Sequence, residues 1–246
     1  MELAGKGALV TGGSRGIGRA VALALARERV NVAINYSSNR EKAEEVVELA
    51  KAEGVAALAV KADVSQSAEV NEMVQRVAST LGNIDILVNN AGILVSKTML
   101  ETTEELWDKI FGVNLKGVFN CCKAALPDMV ARRSGKIVNM SSISGMRGTG
   151  PPTYATSKAG IMGLTMSLAL ELAKYGICVN AVAPGLTDTE MNASDPVGFV
   201  KTIKETVPLQ RMGQPGEIAE AVLFLLRNDY VTGEVVNISG GRFMCI

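Results

Sequence analysis

The sequence predicts an α/β fold, a doubly wound parallel β-sheet of about seven strands with helices on both faces. Three observations carry that expectation. Short β-rich apolar runs recur along the chain without clean polar alternation, as in strands covered on both sides. Amphipathic helical segments lie between these runs, and the βαβα alternation is that of a parallel sheet. No linker, low-complexity tract or internal repeat divides the chain, so residues 1–246 read as a single domain.

The first strand is "GALV" (7–10), followed by the turn "TGGSRGIG". A helix over 16–28 comes next, with Ile17, Ala20, Val21, Ala24 and Leu25 on one stripe. "VNVAIN" (30–35) and "VAALAV" (55–60) are the next strands, and residues 67–81 form a helix carrying Val70, Met73, Val74 and Val77. "IDILVN" (84–89) is the fourth strand. Thr102 followed by Glu105 is a capping-box signal for a helix containing Trp107 and Ile110. After "KIVNM" (136–140), the segment "YATSKAGIMGLTMSLALEL" is helical, supported by Ile161, Leu164, Leu168 and Leu172. "ICVNAV" (177–182) and "EVVNI" (234–238) complete the strands.

Composition narrows the function. Lys plus Arg and Asp plus Glu number 25 each, so net charge gives no bulk attraction to nucleic acid or to anionic membrane. There is no histidine, and Cys121, Cys122, Cys178 and Cys245 form no C-x-x-C pair. They read as reduced core hydrophobes, and no metal site is expected. The start, "MELAGKGALV", lacks the pattern of a signal peptide, and no apolar run reaches bilayer-spanning length. A cytoplasmic protein without membrane partners is the expectation.

Ligands of open parallel sheets bind beyond the carboxyl ends of the strands. Polar or glycine-rich clusters follow the strands there: "TGGSRGIG", "ADV", "NNAG", "SSISG" and "PGLTDT". In the first, Gly12, Ser14, Gly16, Ile17 and Gly18 lead into a helix, whose N-terminal N–H groups and positive dipole end suit a pyrophosphate. The spacing G-x-x-x-G-x-G differs from the G-x-G-x-x-G fingerprint. No acidic residue stands near Tyr36 to read a ribose 2′-hydroxyl, whereas Arg15 and Arg40 suit a 2′-phosphate. NADP(H) is therefore expected in preference to NAD(H). Asp63 and Val64 are placed to meet the adenine, although Asp63 also suits a helix cap. In "NNAG", Asn89 and Asn90 can brace an irregular turn, and Ala91 and Gly92 leave room beside a ribose. Pro184, Gly185 and Thr187 extend this edge.

Tyr154 and Lys158 stand four residues apart, on one face of a helix. A phenol of pKa ~10 is a poor base at neutral pH, and moving it towards ~7 requires about 4 kcal/mol of differential interaction. One exposed lysine does not supply this; a desolvated lysine beside a positively charged nicotinamide does.

With "TGGSRGIG", Asp63, "NNAG", Asn114 in "GVNLKG", "SSISG", "YATSK" and "PGLTDTEM" in this order, the chain resembles the short-chain dehydrogenase/reductase family from end to end. Within it, "PLQRMGQPGEIAEAVLFLL" and "VTGEVVNISGG" are most similar to the 3-oxoacyl-[acyl-carrier-protein] reductases. The resemblance implies a Rossmann-type fold, a homotetramer and carbonyl reduction with Tyr154 as proton donor. It further implies Lys158 on the nicotinamide ribose, Ser142 on the substrate carbonyl, Asn114 positioning a water that links Lys158 to solvent, and Thr189 on the cofactor.

Two serines compete for the carbonyl. Counting back from the tyrosine selects Ser141, whereas aligning the strand end selects Ser142, which is preferred because the following loop absorbs a deletion. Arg133 matches the first of two basic positions that receive an acyl carrier protein; Tyr175, beside Lys174, stands at the second. Residues 190–210 read as a substrate lid, with Val197, Phe199, Val200 and Ile203 as candidate acyl contacts. Reduction of a 3-oxoacyl thioester leads. A dehydrogenase or reductase of a sugar, polyol, steroid or other secondary alcohol is the alternative, and a nucleotide-binding regulator without turnover the remote one.

Overall fold

The computed structural model describes residues 1–193, 201 and 203–244. Among them lies a sheet of seven parallel strands: β1 (Gly7–Val10), β2 (Asn31–Tyr36), β3 (Ala57–Lys61), β4 (Ile86–Asn89), β5 (Gly135–Met140), β6 (Ile177–Pro184) and β7 (Val235–Ile238), in the order β3-β2-β1-β4-β5-β6-β7. The order reverses between β1 and β4, with Ala8 opposite both Val32 and Ile86. That reversal opens a crevice over the carboxyl ends.

Successive side chains of a strand face opposite sides, and each side is covered. Ala8, Val10, Val32, Ile34, Ile86 and Val88 pack under α1 (Gly16–Arg27), α2 (Arg40–Ala52) and the helix Pro215–Arg227. Leu9, Ala33, Leu87, Ile137 and Val179 face α3 (Ser67–Leu81), α5 (Gly117–Arg132) and α7 (Pro152–Leu172). Cys121, Cys122 and Cys178 are free and buried, and apolar burial pushes the Cys122 thiol up to about 12. Cys245 lies outside the described residues. No cluster of His, Cys, Asp and Glu suits a metal, and no helix is long and apolar enough to cross a membrane, among the described residues.

The strand boundaries shift by at most two residues from the sequence expectation. One cap is corrected. The N-cap of α4 (Glu104–Phe111) is Thr103, whose Oγ1 accepts from the Leu106 N–H at 3.3 Å. Thr102 instead ends a 3-10 turn, Met99–Glu101, and its hydroxyl donates to the Thr98 carbonyl at 2.8 Å. The capping box belongs to Thr98 and Glu101, because that preceding turn captures the threonine first.

Candidate active site

The glycine-rich turn after β1 is built by its neighbours as much as by its own residues. Gly12 and Gly16 have φ of +60° and +54°, where a Cβ is strained. A Cβ on Gly12 would stand 2.9 Å from the Ala91 Cα, and one on Gly18 would overlap the Gly12 carbonyl oxygen. The Asn90 Nδ2 donates to the carbonyls of Thr11 and Gly12 at 2.9 and 3.0 Å. The Thr11 hydroxyl accepts from the N–H groups of Asn90 and Ala91. Asn90 thus ties "NNAG" to the glycine loop. The buried Asn89, by contrast, donates to Asn139 inside the sheet at 2.9 Å. A backbone cradle that side chains would fill, opening onto the N-terminus of α1, fits a dinucleotide pyrophosphate.

Asn35 supports this loop and was not anticipated. Its Oδ1 accepts from the Gly12 N–H at 3.2 Å, and its Nδ2 donates to the Ala62 carbonyl at 3.0 Å. An amide buried in the apolar run of β2 was the available signal, since such a group needs partners.

The expected adenosine-end residues are spread along the edge. Asp63 accepts from the Ser65 N–H at 2.9 Å, forming a local turn; α3 has Gln66 as its N-cap. The Val64 carbonyl accepts from Asn120 at 2.9 Å. Arg15 pairs with Glu190 at 3.1 Å, and Lys42, which stands in no motif, pairs with the same carboxylate at 2.6 Å. Arg40 is mostly exposed, lies 3.5 Å from Glu44, and borders a separate depression with Tyr36 and Lys61. The structure does not bring Arg15 and Arg40 together; it brings Arg15 and Lys42 together around Glu190.

The deeper part of the crevice is a cavity of about 390 Å³ bordered by Ser142, Tyr154, Lys158, Asn90, Gly92, Ile17, Pro184, Gly185, Thr187 and Thr189. The two serines point in different directions. The Ser141 hydroxyl is buried and donates to the Lys158 carbonyl at 2.7 Å, fastening β5 to α7. Ser142 is the N-cap of α6 (Ile143–Arg147), accepting from the Ser144 N–H at 3.1 Å, and its hydroxyl also reaches the Tyr154 phenol. Of the two, Ser142 stands beside the tyrosine.

Lys158 is buried and donates to the Met140 carbonyl at 2.7 Å, with Nζ 5.7 Å from the Tyr154 ring centroid. Burial pushes the ammonium down to about 8. Burial raises the Tyr154 phenol above its ordinary range, with the Ser142 hydrogen bond opposing the rise. The desolvated lysine is therefore present, but by itself it does not lower the phenol. A protonated phenol at neutral pH suits a proton donor.

Asn114 lies in a π-helical segment, Gly112–Lys116, that interrupts the passage from α4 to α5. Its Oδ1 accepts from the Ile93 N–H at 2.8 Å, and its Nδ2 donates to the Ile93 carbonyl and to the Ser157 hydroxyl. The Asn114 Oδ1 and the Lys158 Nζ both stand 3.5 Å from the point a Cβ on Gly92 would occupy. Gly145 is a second unanticipated support. A Cβ there would lie 2.6 Å from the Ala159 nitrogen and 2.7 Å from the Lys158 carbonyl carbon, so only glycine lets α6 seat on α7 beside Lys158.

A profile of the short chain dehydrogenase family matches residues 6–197, most of the chain. The chain belongs to that family. Among curated relatives, a 3-oxoacyl-[acyl-carrier-protein] reductase from Staphylococcus epidermidis is 46% identical over 242 residues, covering 97% of this chain and 99% of the relative. Another from Thermotoga maritima is 42% identical, covering 98% and 99%. Among solved structures, a Serratia marcescens short-chain dehydrogenase/reductase variant superposes with a TM-score of 0.93 at 36% identity, covering 98% and 99%. A blue fluorescent protein from a metagenomic library, in complex with NADPH, superposes with a TM-score of 0.94 at 34% identity, covering 99% and 100%.

On this short chain dehydrogenase framework, Arg133 and the expected lid are placed as follows. Arg133 caps α5 just before β5 and donates to the Lys174 carbonyl at 2.7 Å. It stands at the amino-terminal edge of the sheet, opposite the crevice. Of the expected lid, Met191 and Ile203 border the cavity. Val197, Phe199 and Val200 lie outside the described residues.

Proposed function

We propose that the protein is an NADPH-dependent reductase that converts a 3-oxoacyl thioester, carried on acyl carrier protein or coenzyme A, to the 3-hydroxyacyl product. One observation carries the reductive chemistry: a half-buried phenol, whose pKa burial raises, shares one cavity with Ser142, Lys158 and the end of the glycine-rich edge. The full-length identity to 3-oxoacyl-[acyl-carrier-protein] reductases supports the choice of substrate.

The glycine loop with Ser14, Ile17 and Arg15 holds the cofactor's phosphates; Arg40 remains a candidate at the 2′-phosphate, with Lys42 added. Asp63 and Val64 serve the adenine, and Asn90, Ala91 and Gly92 the ribose. Pro184, Gly185, Thr187 and Thr189 line the nicotinamide side. When bound, NADPH supplies the hydride that reduces the carbonyl carbon. Ser142 donates a hydrogen bond to the carbonyl oxygen, placing a donor where negative charge develops. Tyr154 gives its proton to that oxygen, leaving an alcohol and a phenolate. The Lys158 ammonium stabilises the phenolate, and Asn114 orders the route by which its proton is replaced.

Further parts of the reading follow the family. The exposed Phe119, Met166 and Leu170 on α5 and α7, with Phe224 on Pro215–Arg227, support assembly into a homotetramer. A cytoplasmic location and residues 190–210 as the substrate lid complete it. Purified protein should oxidise NADPH with an acetoacetyl thioester, and Tyr154→Phe should not. No reduction of any acyl thioester above that control, alongside turnover of sugar or cyclic ketones, overturns the assignment.

A further inference from the structure

Among the described residues, two charged side chains border the catalytic cavity, Lys158 and Arg242, and no carboxylate does. Lys158 is accounted for by the chemistry above. Arg242 is not. It follows β7 in "SGGRF", is half-buried, and presents its side chain to the cavity wall that also holds Tyr154, Ser144 and Thr149. Its Nε is sealed from solvent without an acceptor. Arg147, the last residue of α6, donates from Nη1 to the Arg242 backbone carbonyl at 3.2 Å, and its positive charge acts on the Arg242 guanidinium. Burial and then the Arg147 charge both push Arg242 below the ordinary arginine range. No acidic partner offsets either effect among the described residues.

Burying a guanidinium beside another cation costs free energy on both counts. Arginine stays charged throughout the working pH range, so the cost is not relieved by losing a proton. Such a group is compensated when an anion arrives, and its planar fork suits paired oxygens.

The geometry points to Arg242 as the residue that reads an anionic group carried by the substrate, a carboxylate or phosphate set apart from the reacting carbonyl, with Arg147 reinforcing the positive field. This rests on the reductase reading given above and extends it to a substrate class, charged 3-oxoacyl thioesters. The two sources of the anion are the far end of the acyl chain and the phosphate of a pantetheine arm.

The test compares wild type with Arg242→Met and Arg242→Lys on three substrates. Acetoacetyl N-acetylcysteamine carries no charge, 3-oxoadipyl N-acetylcysteamine carries a carboxylate on the acyl chain, and acetoacetyl 4′-phosphopantetheine carries a phosphate. Arg242→Met should lower kcat/KM by about tenfold or more for at least one charged substrate and by less than about threefold for the neutral one. The charged substrate affected identifies the source, and Arg242→Lys should restore part of the loss. Equal effects on all three, or none, overturn the inference. If wild type reduces none of these thioesters, the reductase reading fails on its own. The inference is then decided by calorimetric titration of glutarate and of inorganic phosphate into NADPH-saturated protein. Binding of either should weaken about tenfold in Arg242→Met, and binding of neither by wild type, or equal binding in both proteins, refutes it.

Discussion

Replacing each of the adjacent serines by alanine separates a group that acts in the reaction from one that holds the frame. Ser141→Ala removes the 2.7 Å bond to the Lys158 carbonyl. That carbonyl lies in the middle of α7 and keeps its intrahelical N–H, so the loss is one ordinary hydrogen bond, about 1 kcal/mol. Ser142→Ala removes the N-cap of the short helix α6, also worth about 1 kcal/mol. For a chain of this size each loss lowers Tm by roughly 2–4 °C, so stability does not distinguish the two. Activity does. Ser142→Ala withdraws a donor from the carbonyl oxygen and should reduce kcat by about 10²–10³-fold. Ser141→Ala should change it by less than about tenfold. NADPH oxidation with an acetoacetyl thioester, beside thermal melts of the same preparations, measures both quantities. A dead Ser141→Ala with an active Ser142→Ala would refute the reasoning.

Three further outcomes are expected. Because burial depresses the Lys158 ammonium to about 8, its charge is present below that pH and lost as pH rises through it. Reductive kcat at saturating cofactor should therefore hold to about pH 8 and decline above, while Lys158→Met should be about 10²-fold slower with no such limb, as a pH–rate profile would reveal. Glu190→Gln frees Arg15 and Lys42, which now hold that carboxylate below its usual range, Lys42 more than Arg15. NADPH binding, followed by fluorescence titration, should tighten about two- to fivefold with NADH little changed; equal changes would deny these cations a role at the 2′-phosphate. Gly145→Ala drives a methyl group into the backbone of α7 and should cost about 1–3 kcal/mol. It should also lower kcat by displacing Lys158, and a wild-type melt with wild-type turnover would contradict that contact.

The sheet was legible because its strands are apolar on both faces and its helices carry a stripe, patterns written in consecutive residues. The motifs that follow those strands gave the family and the Tyr154–Lys158 pair, since residues four apart on a helix share a face whatever surrounds them. Sequence left open which serine meets the phenol. Ser141 and Ser142 are adjacent and chemically identical, and only the direction of each Oγ, towards the Lys158 carbonyl or towards Tyr154, separates them. The same limit hid Asn35, Gly145 and Lys42, whose contacts with Gly12, Lys158 and Glu190 span 23, 13 and 148 residues along the chain. It also left Arg15 matched with Arg40, although the folded chain turns Arg15 to Glu190. Arg133, matched by resemblance to a carrier-protein contact, stands at the amino-terminal edge of the sheet, because the end of α5 and the start of β5 meet there. What sequence determined by itself was periodicity, turn chemistry and the candidates for the chemistry. What tertiary structure decided was direction and desolvation. Hydrogen bonds between distant segments aim each side chain, and burial raises the Tyr154 phenol and lowers the Lys158 ammonium, neither of which is a property of neighbours along the chain.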